Sequence, residues 1–128
     1  MSGWQIVDSS GWIEYFTDGP NAGQFADPIN SRDAHIVSTI AIYEVSRWLD
    51  RKHGREAADL AVAMMNECTT INVDSDLAVD AASFSIVHQL AMADAIILST
   101  ARRFDATLWT QDADFKGLDG VRYVPKAT

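Results

Sequence analysis

The sequence predicts an α/β domain in three layers, a central parallel sheet with helices on both faces. Two observations lead there. Short β-favouring runs (Trp4 to Val7, His35 to Ser38, Thr69 to Val73, Ala106 to Trp109 and Val121 to Val124) alternate with stretches of helical apolar pattern, the order of parallel βαβ units with right-handed crossovers. Lone acids also stand just past strand-like runs, at Asp8 and Asp112, where an open α/β sheet keeps its ligands.

At 128 residues the chain is expected to form a single domain over 1–128, long enough for a sizeable core. No apolar run approaches the roughly 20 residues of a membrane span. The opening MSGWQIVDSS lacks the basic start and long apolar stretch of a signal peptide. Cys68 stands alone, which excludes an internal disulfide and a thiolate zinc cluster. These features together predict a soluble cytoplasmic protein. The formal net charge of −8 argues against passive electrostatic binding of nucleic acid, which needs a basic footprint. The acidic excess is either a solvated surface or partly concentrated in a metal site.

Taken in order, the first strand ends at Asp8, where Ser9 and Ser10 are good helix caps. Trp12, Ile13, Tyr15 and Phe16 then give a helical pattern, and Asp18-Gly19-Pro20 marks a turn. A second helix is expected over 21–29. After the second strand, Ser38 or Thr39 caps a helix over 40–53, on which Glu44 shares a face with Ile40 and Trp48. His53-Gly54 breaks it, and an Ala-rich helix follows over 55–66. Asp74 or Ser75 caps the next helix, whose Leu77, Val79, Ala81, Ala82, Phe84, Ile86 and Val87 are expected in the core. A helix over 93–104 carries Asp94 in apolar surroundings, and Asp112 or Asp114 opens a short turn before the last strand. Pro125 ends that strand.

Asp8, Glu44, Asp94 and Asp112 therefore fall at strand ends or on apolar helix faces. The structural alternatives are a cap or turn acid for Asp8 and a buried arginine partner for Glu44. In a parallel sheet the strand C-termini share one edge, so the four acids are able to meet in one crevice. Unpaired carboxylates a few ångströms apart cannot all stay ionised. A cation resolves the conflict, and an all-oxygen donor set favours Mg²⁺ or Mn²⁺. Such a site suits phosphodiester hydrolysis.

The motifs then resemble a known family. Val7-Asp8-Ser9-Ser10-Gly11-Trp12-Ile13-Glu14-Tyr15-Phe16, Ala41-Ile42-Tyr43-Glu44-Val45, Ala93-Asp94-Ala95-Ile96-Ile97 and Thr110-Gln111-Asp112-Ala113-Asp114-Phe115 are similar, in order and spacing, to the acidic motifs of PIN-domain nucleases. Within these the likeness is to the VapC-type toxins of type II toxin–antitoxin pairs. The resemblance implies a sheet ordered 3-2-1-4-5 and a Mg²⁺- or Mn²⁺-dependent endoribonuclease. It implies Asp8, Glu44, Asp94 and Asp112 as catalytic metal ligands. Asp114 either reaches the metal through water or caps a turn. Ser9 and Thr110 are candidates to orient the acids by hydrogen bonds. The resemblance further implies a homodimer and a cognate antitoxin lying across apolar helix surface, with Trp48, Met64 and Met65 as candidates.

Arg47, Arg51, Lys52 and Arg55, and separately Arg102, Arg103 and Lys116, are basic positions near the motifs. Among them Arg47, Arg51, Arg102 and Lys116 are the RNA-contact candidates; a solvated helix face is the alternative for all of them. His35, His53 and His88 receive no catalytic role. Other readings remain at this point. They are a housekeeping RNA-processing PIN nuclease, a receiver-like phosphotransfer domain, and a non-catalytic PIN-like binding module.

Overall fold

The structure, a computed structural model, describes residues 3–127. Its elements run β1 (Gln5–Val7), α1 (Ser9–Phe16), α2 (Ala22–Asn30), β2 (His35–Ser38), α3 (Thr39–His53), α4 (Arg55–Met65), β3 (Thr69–Ile71), α5 (Ser75–His88), α6 (Met92–Arg103), β4 (Thr107–Thr110) and β5 (Val121–Tyr123). Short 3₁₀ turns lie at Arg32–Ala34 and Ala113–Phe115. The sheet order is β3-β2-β1-β4-β5. Its described pairings are all parallel, and helices flank the sheet in an α/β/α arrangement, as the motifs imply. Among the described residues no single helix is long and apolar enough to cross a membrane.

The burial of each strand follows its place in the sheet. All of β2 is buried, and Ile6, Val7 and Leu108 are buried on β1 and β4. The edge strands β3 and β5 have three residues each and no fully buried residue, which leaves little unpaired edge for another chain. Trp12, Phe25, Ile29, Ile36, Ile97 and Phe115 join the strands in one core.

Element boundaries fall within a few residues of expectation, but the first cap differs. Asp8, not Ser9 or Ser10, caps α1, its side chain accepting from the Gly11 N–H. The serines already lie inside the helix and turn their hydroxyls to carboxylates instead. Gly11 is where α1 meets the sheet. A Cβ there would lie 2.5 Å from Val7 Cγ1 and 2.8 Å from the Phe25 ring, so glycine lets the helix start close against β1.

The core assignment on α5 needs a larger correction. Leu77 and Ala81 are buried, but Val79, Ile86 and Val87 are 70%, 80% and 68% exposed. Only one stripe of a helix can face the core, and α5 is apolar on its outer side as well.

Candidate metal centre

Asp8 lies at the C-terminal end of β1, 2% exposed. Its backbone N–H bonds to the Trp109 carbonyl at 3.1 Å, so the β1–β4 pairing fixes its position. Its carboxylate accepts from the Thr110 hydroxyl at 2.6 Å, the Gly11 N–H at 3.0 Å and the Ser10 hydroxyl at 2.8 Å. Burial still pushes the carboxyl up to about 6, against the lowering effect of those donors, and the charge of Asp112 adds to the rise. The group both caps α1 and lines the cleft, so the cap does not remove it as a candidate ligand.

Glu44 is half-buried on α3, beside the fully buried stripe of Ala41, Val45 and Leu49 rather than on it. No buried arginine meets it among the described residues; its Oε1 accepts from the Ser9 hydroxyl at 2.5 Å. Asp94 sits in the first turn of α6, where the helix N-terminus favours negative charge. Burial nevertheless dominates. With repulsion from Asp112, Asp8 and Glu44 and a hydrogen bond shared with Asp112, it drives the Asp94 carboxyl up to about 7.

Asp112 follows β4. Its N–H donates to Thr110 Oγ1 at 2.9 Å, while Thr110 donates to Asp8. One buried hydroxyl thus joins two acids from two strands. Asp112 in turn caps the Ala113–Phe115 turn by accepting from the Asp114 N–H at 2.9 Å. Asp114 is exposed, yet one carboxylate oxygen each from Asp94, Asp112 and Asp114 lie within 4.8 Å of one another.

Asp8, Ser9, Ser10, Glu44, Asp94 and Asp112 line one cleft of about 510 Å³, with Ile13, Tyr43, Arg47 and Trp48 on its walls. Asp114 is not among the cleft-lining residues and stands at its edge. Among the described residues none of these acids is in an ion pair. The cleft therefore gathers oxygen donors without pairing any of these acids to a base, a donor set that fits a hard divalent cation.

The basic positions scatter. Arg47 lines the cleft and has no ion-pair partner among the described residues. Arg51 is exposed one turn further along α3. Arg102 lies in the last turn of α6, at the opposite end from Asp94, donates to the Asp119 carbonyl and covers the Phe84 ring at 5.6 Å. The Lys116 ammonium lies 5.8 Å from the Tyr123 ring centre. Arg55 pairs with Asp50 and Arg103 with Asp74. Met65 is buried in the core, so it is not partner surface. Met64 lines an apolar groove of about 470 Å³ with Phe16, Leu49, Leu60 and Ala61. Ser10, expected only as a cap, bonds to the Asp8 carboxylate two residues before it, a spacing visible in the sequence, and Gln111, with no expected role, bonds to Asn21.

The PIN domain family model matches residues 6–121. The fold is similar to that of a chain of a toxin–antitoxin complex from Klebsiella pneumoniae, with a TM-score of 0.80, 24% identity, and coverage of 96% of this chain and 99% of that one. It is also similar to VapC20 of Mycobacterium tuberculosis, a sarcin–ricin-loop-cleaving toxin, with a TM-score of 0.74, 20% identity, and coverage of 89% and 94%. A third likeness is to DNA-bound VapBC from Salmonella typhimurium, with a TM-score of 0.71, 13% identity, and coverage of 95% and 97%. No significant match was found among curated proteins. With the family model spanning nearly the whole chain and the acidic motifs gathered at the C-terminal edge of a 3-2-1-4-5 sheet, this chain belongs to the PIN domain family.

Proposed function

We propose that this protein is a Mg²⁺- or Mn²⁺-dependent endoribonuclease and the toxin of a VapBC-type pair. The observation that carries this reading is the convergence of Asp8, Glu44, Asp94 and Asp112 on one cleft, none of them in an ion pair among the described residues. In this reading those four carboxylates hold the cation, with Asp114 at the exposed rim. When bound, the cation supplies an activated water as nucleophile and charge stabilisation at the phosphoryl oxygens. Thr110 keeps Asp8 and Asp112 in register, and Ser9 holds Glu44 toward the cleft. Asp94, whose carboxyl is raised to about 7, would be ionised to serve as a ligand. Arg47, on the cleft wall, meets a backbone phosphate of the RNA.

The toxin reading, over a housekeeping nuclease, is supported by three similar structures that are toxins or toxin–antitoxin complexes and match nearly the whole chain. The groove of Phe16, Leu49, Leu60, Ala61 and Met64 suits an apolar segment of a cognate antitoxin. The remaining proposals are a homodimer and a cytoplasmic location.

The test is cleavage of a mixed pool of structured RNA by purified protein with Mg²⁺, Mn²⁺ or EDTA, beside an Asp8→Asn variant. We expect metal-dependent cuts that the variant loses. No cutting with any metal, together with no effect of metal on the melting temperature, would overturn the reading.

A further inference from the structure

Gln111 stands between Thr110 and Asp112, two residues that face the acid cluster, and its own side chain goes elsewhere. It is 8% exposed, and its Oε1 accepts from Asn21 Nδ2 at 3.1 Å. Its Nε2 lies 3.5 Å from Glu14 Oε1. Asn21 is 6% exposed and also donates to the Pro125 carbonyl at 3.0 Å, while its backbone N–H donates to Glu14 Oε2 at 2.8 Å. The loop closes tightly on that carboxylate: a Cβ at Gly19 would lie 2.3 Å from Glu14 Oε1. Two regions about 90 positions apart are thus tied together: α1 with the α1–α2 loop, and the chain just past β4 with the chain just past β5.

We infer that Gln111 is a positioning residue for the metal centre, acting through Asn21 and Glu14 to hold the Asp112 carboxylate against Asp94. The inference rests on the metal-dependent reading above. Asp112 is crowded by other carboxylates, with oxygens of Asp94 and Asp114 within 4.8 Å of its own, so its backbone must be held in place for the group to stay there. Its N–H bond to Thr110 fixes one side of the strand end. The Gln111 amide fixes the other side. Alternation along the extended chain sends residues 110 and 112 to one face and residue 111 to the other, so the anchor adds no charge or donor to the cleft itself. Buried, satisfied polar groups of this kind specify one geometry; partners bonded directly to ligands are worth about 10–100-fold in metal affinity, and an anchor one residue removed belongs at the low end of that range.

The test is calorimetric titration of Mn²⁺ into metal-free protein, with no RNA present. Gln111→Leu and Asn21→Ala are each expected to bind Mn²⁺ about tenfold more weakly than wild type. The double variant is expected to bind no more weakly than the worse single one, because both cut the same link. Ser99→Ala is the control for lost stability alone. It removes the buried 3.2 Å bond from Ser99 to the Leu77 carbonyl, outside the cleft, and is expected to bind Mn²⁺ as wild type does. Should Gln111→Leu fail to fold, Glu14→Gln keeps the shape, removes the charge and is expected to weaken Mn²⁺ in the same direction. Affinities within twofold of wild type in the network variants would overturn the inference and leave the nuclease reading standing. A wild type that binds no Mn²⁺ would overturn the nuclease reading, and the inference with it.

Discussion

Asp94 is the residue at which charge is held at the greatest cost, its carboxyl raised to about 7 by burial and three neighbouring acids. Asp94→Asn is therefore expected to stabilise the metal-free protein at pH 7.5 while abolishing cleavage. A gain of roughly 1–2 kcal/mol allows for partial solvent screening. The sign with pH follows from linkage. The folded pKa is above the unfolded 3.8, so the folded wild type binds the extra proton and gains stability as pH falls from about 7 to about 4. The asparagine lacks that gain, so its advantage should be largest at pH 7.5 and gone near pH 4 in thermal melts; an advantage that grows on acidification would refute this account. His35 works in the opposite sense. Burial lowers it from 6.5 to about 4 while its Nε2 accepts from the Val7 N–H, so its stability is complete above 6.5 and lost as pH falls through about 4. Thr110→Val tests the link between acids. It keeps the volume but strands an Asp8 lone pair and the Asp112 N–H, and we expect a loss of about 1–3 kcal/mol in denaturant melts with weaker Mn²⁺ binding. The acids were legible in the sequence because a carboxylate among Ala91, Ala93, Ile96 and Ile97 has no inexpensive structural explanation. Gln111 was not, because its neutral side chain reveals its purpose only through Asn21, 90 positions away, whereas Ser10 had its place two residues after Asp8 as a signal.

At the scale of elements, α1 depends on one missing side chain. Gly11→Ala would drive a methyl into Val7 and Phe25, both fully packed in the core. Overpacking of this kind costs about 1–3 kcal/mol, and the shift moves the helix start that carries Ser9 and Ser10. We expect a lower melting temperature and weaker Mn²⁺ binding together; an unchanged melting temperature would show that the helix relaxes freely. The alternation of strands and helices was readable because each strand is short, β-favouring and bounded by caps or turns. Facing was readable only where a helix has one apolar stripe. On α3, charged Arg47, Asp50 and Arg51 mark the outside and Ala41, Val45 and Leu49 the inside. On α5, Val79, Ile86 and Val87 satisfy the same composition rule as Leu77 and Ala81, so the sequence had no feature to separate the outer face from the core.

That outer face matters for the molecule as a whole. Val79, Ile86 and Val87 on α5 and Met92 at the start of α6 are all more than two-thirds exposed. Beside them is a hollow of about 300 Å³ lined by Ala78, Ala82, Ser85, Met92 and Ile96. Projecting branched side chains next to a hollow floored by small residues form a surface able to receive its own copy about a two-fold axis, each knob entering the other subunit's hollow. The formal charge of −8 per chain opposes such pairing at long range, so association should tighten as salt screens it. We expect light scattering to find a homodimer whose dissociation constant falls between 50 and 500 mM NaCl. Ile86→Asp should give a monomer at both salt concentrations. Leu60→Asp, in the groove assigned to the antitoxin, should leave the dimer intact and weaken capture of the cognate antitoxin instead. A wild type that stays monomeric at high salt, or a dimer that survives Ile86→Asp, would remove α5 from the interface. Loss of the dimer in Leu60→Asp alone would exchange the two surfaces.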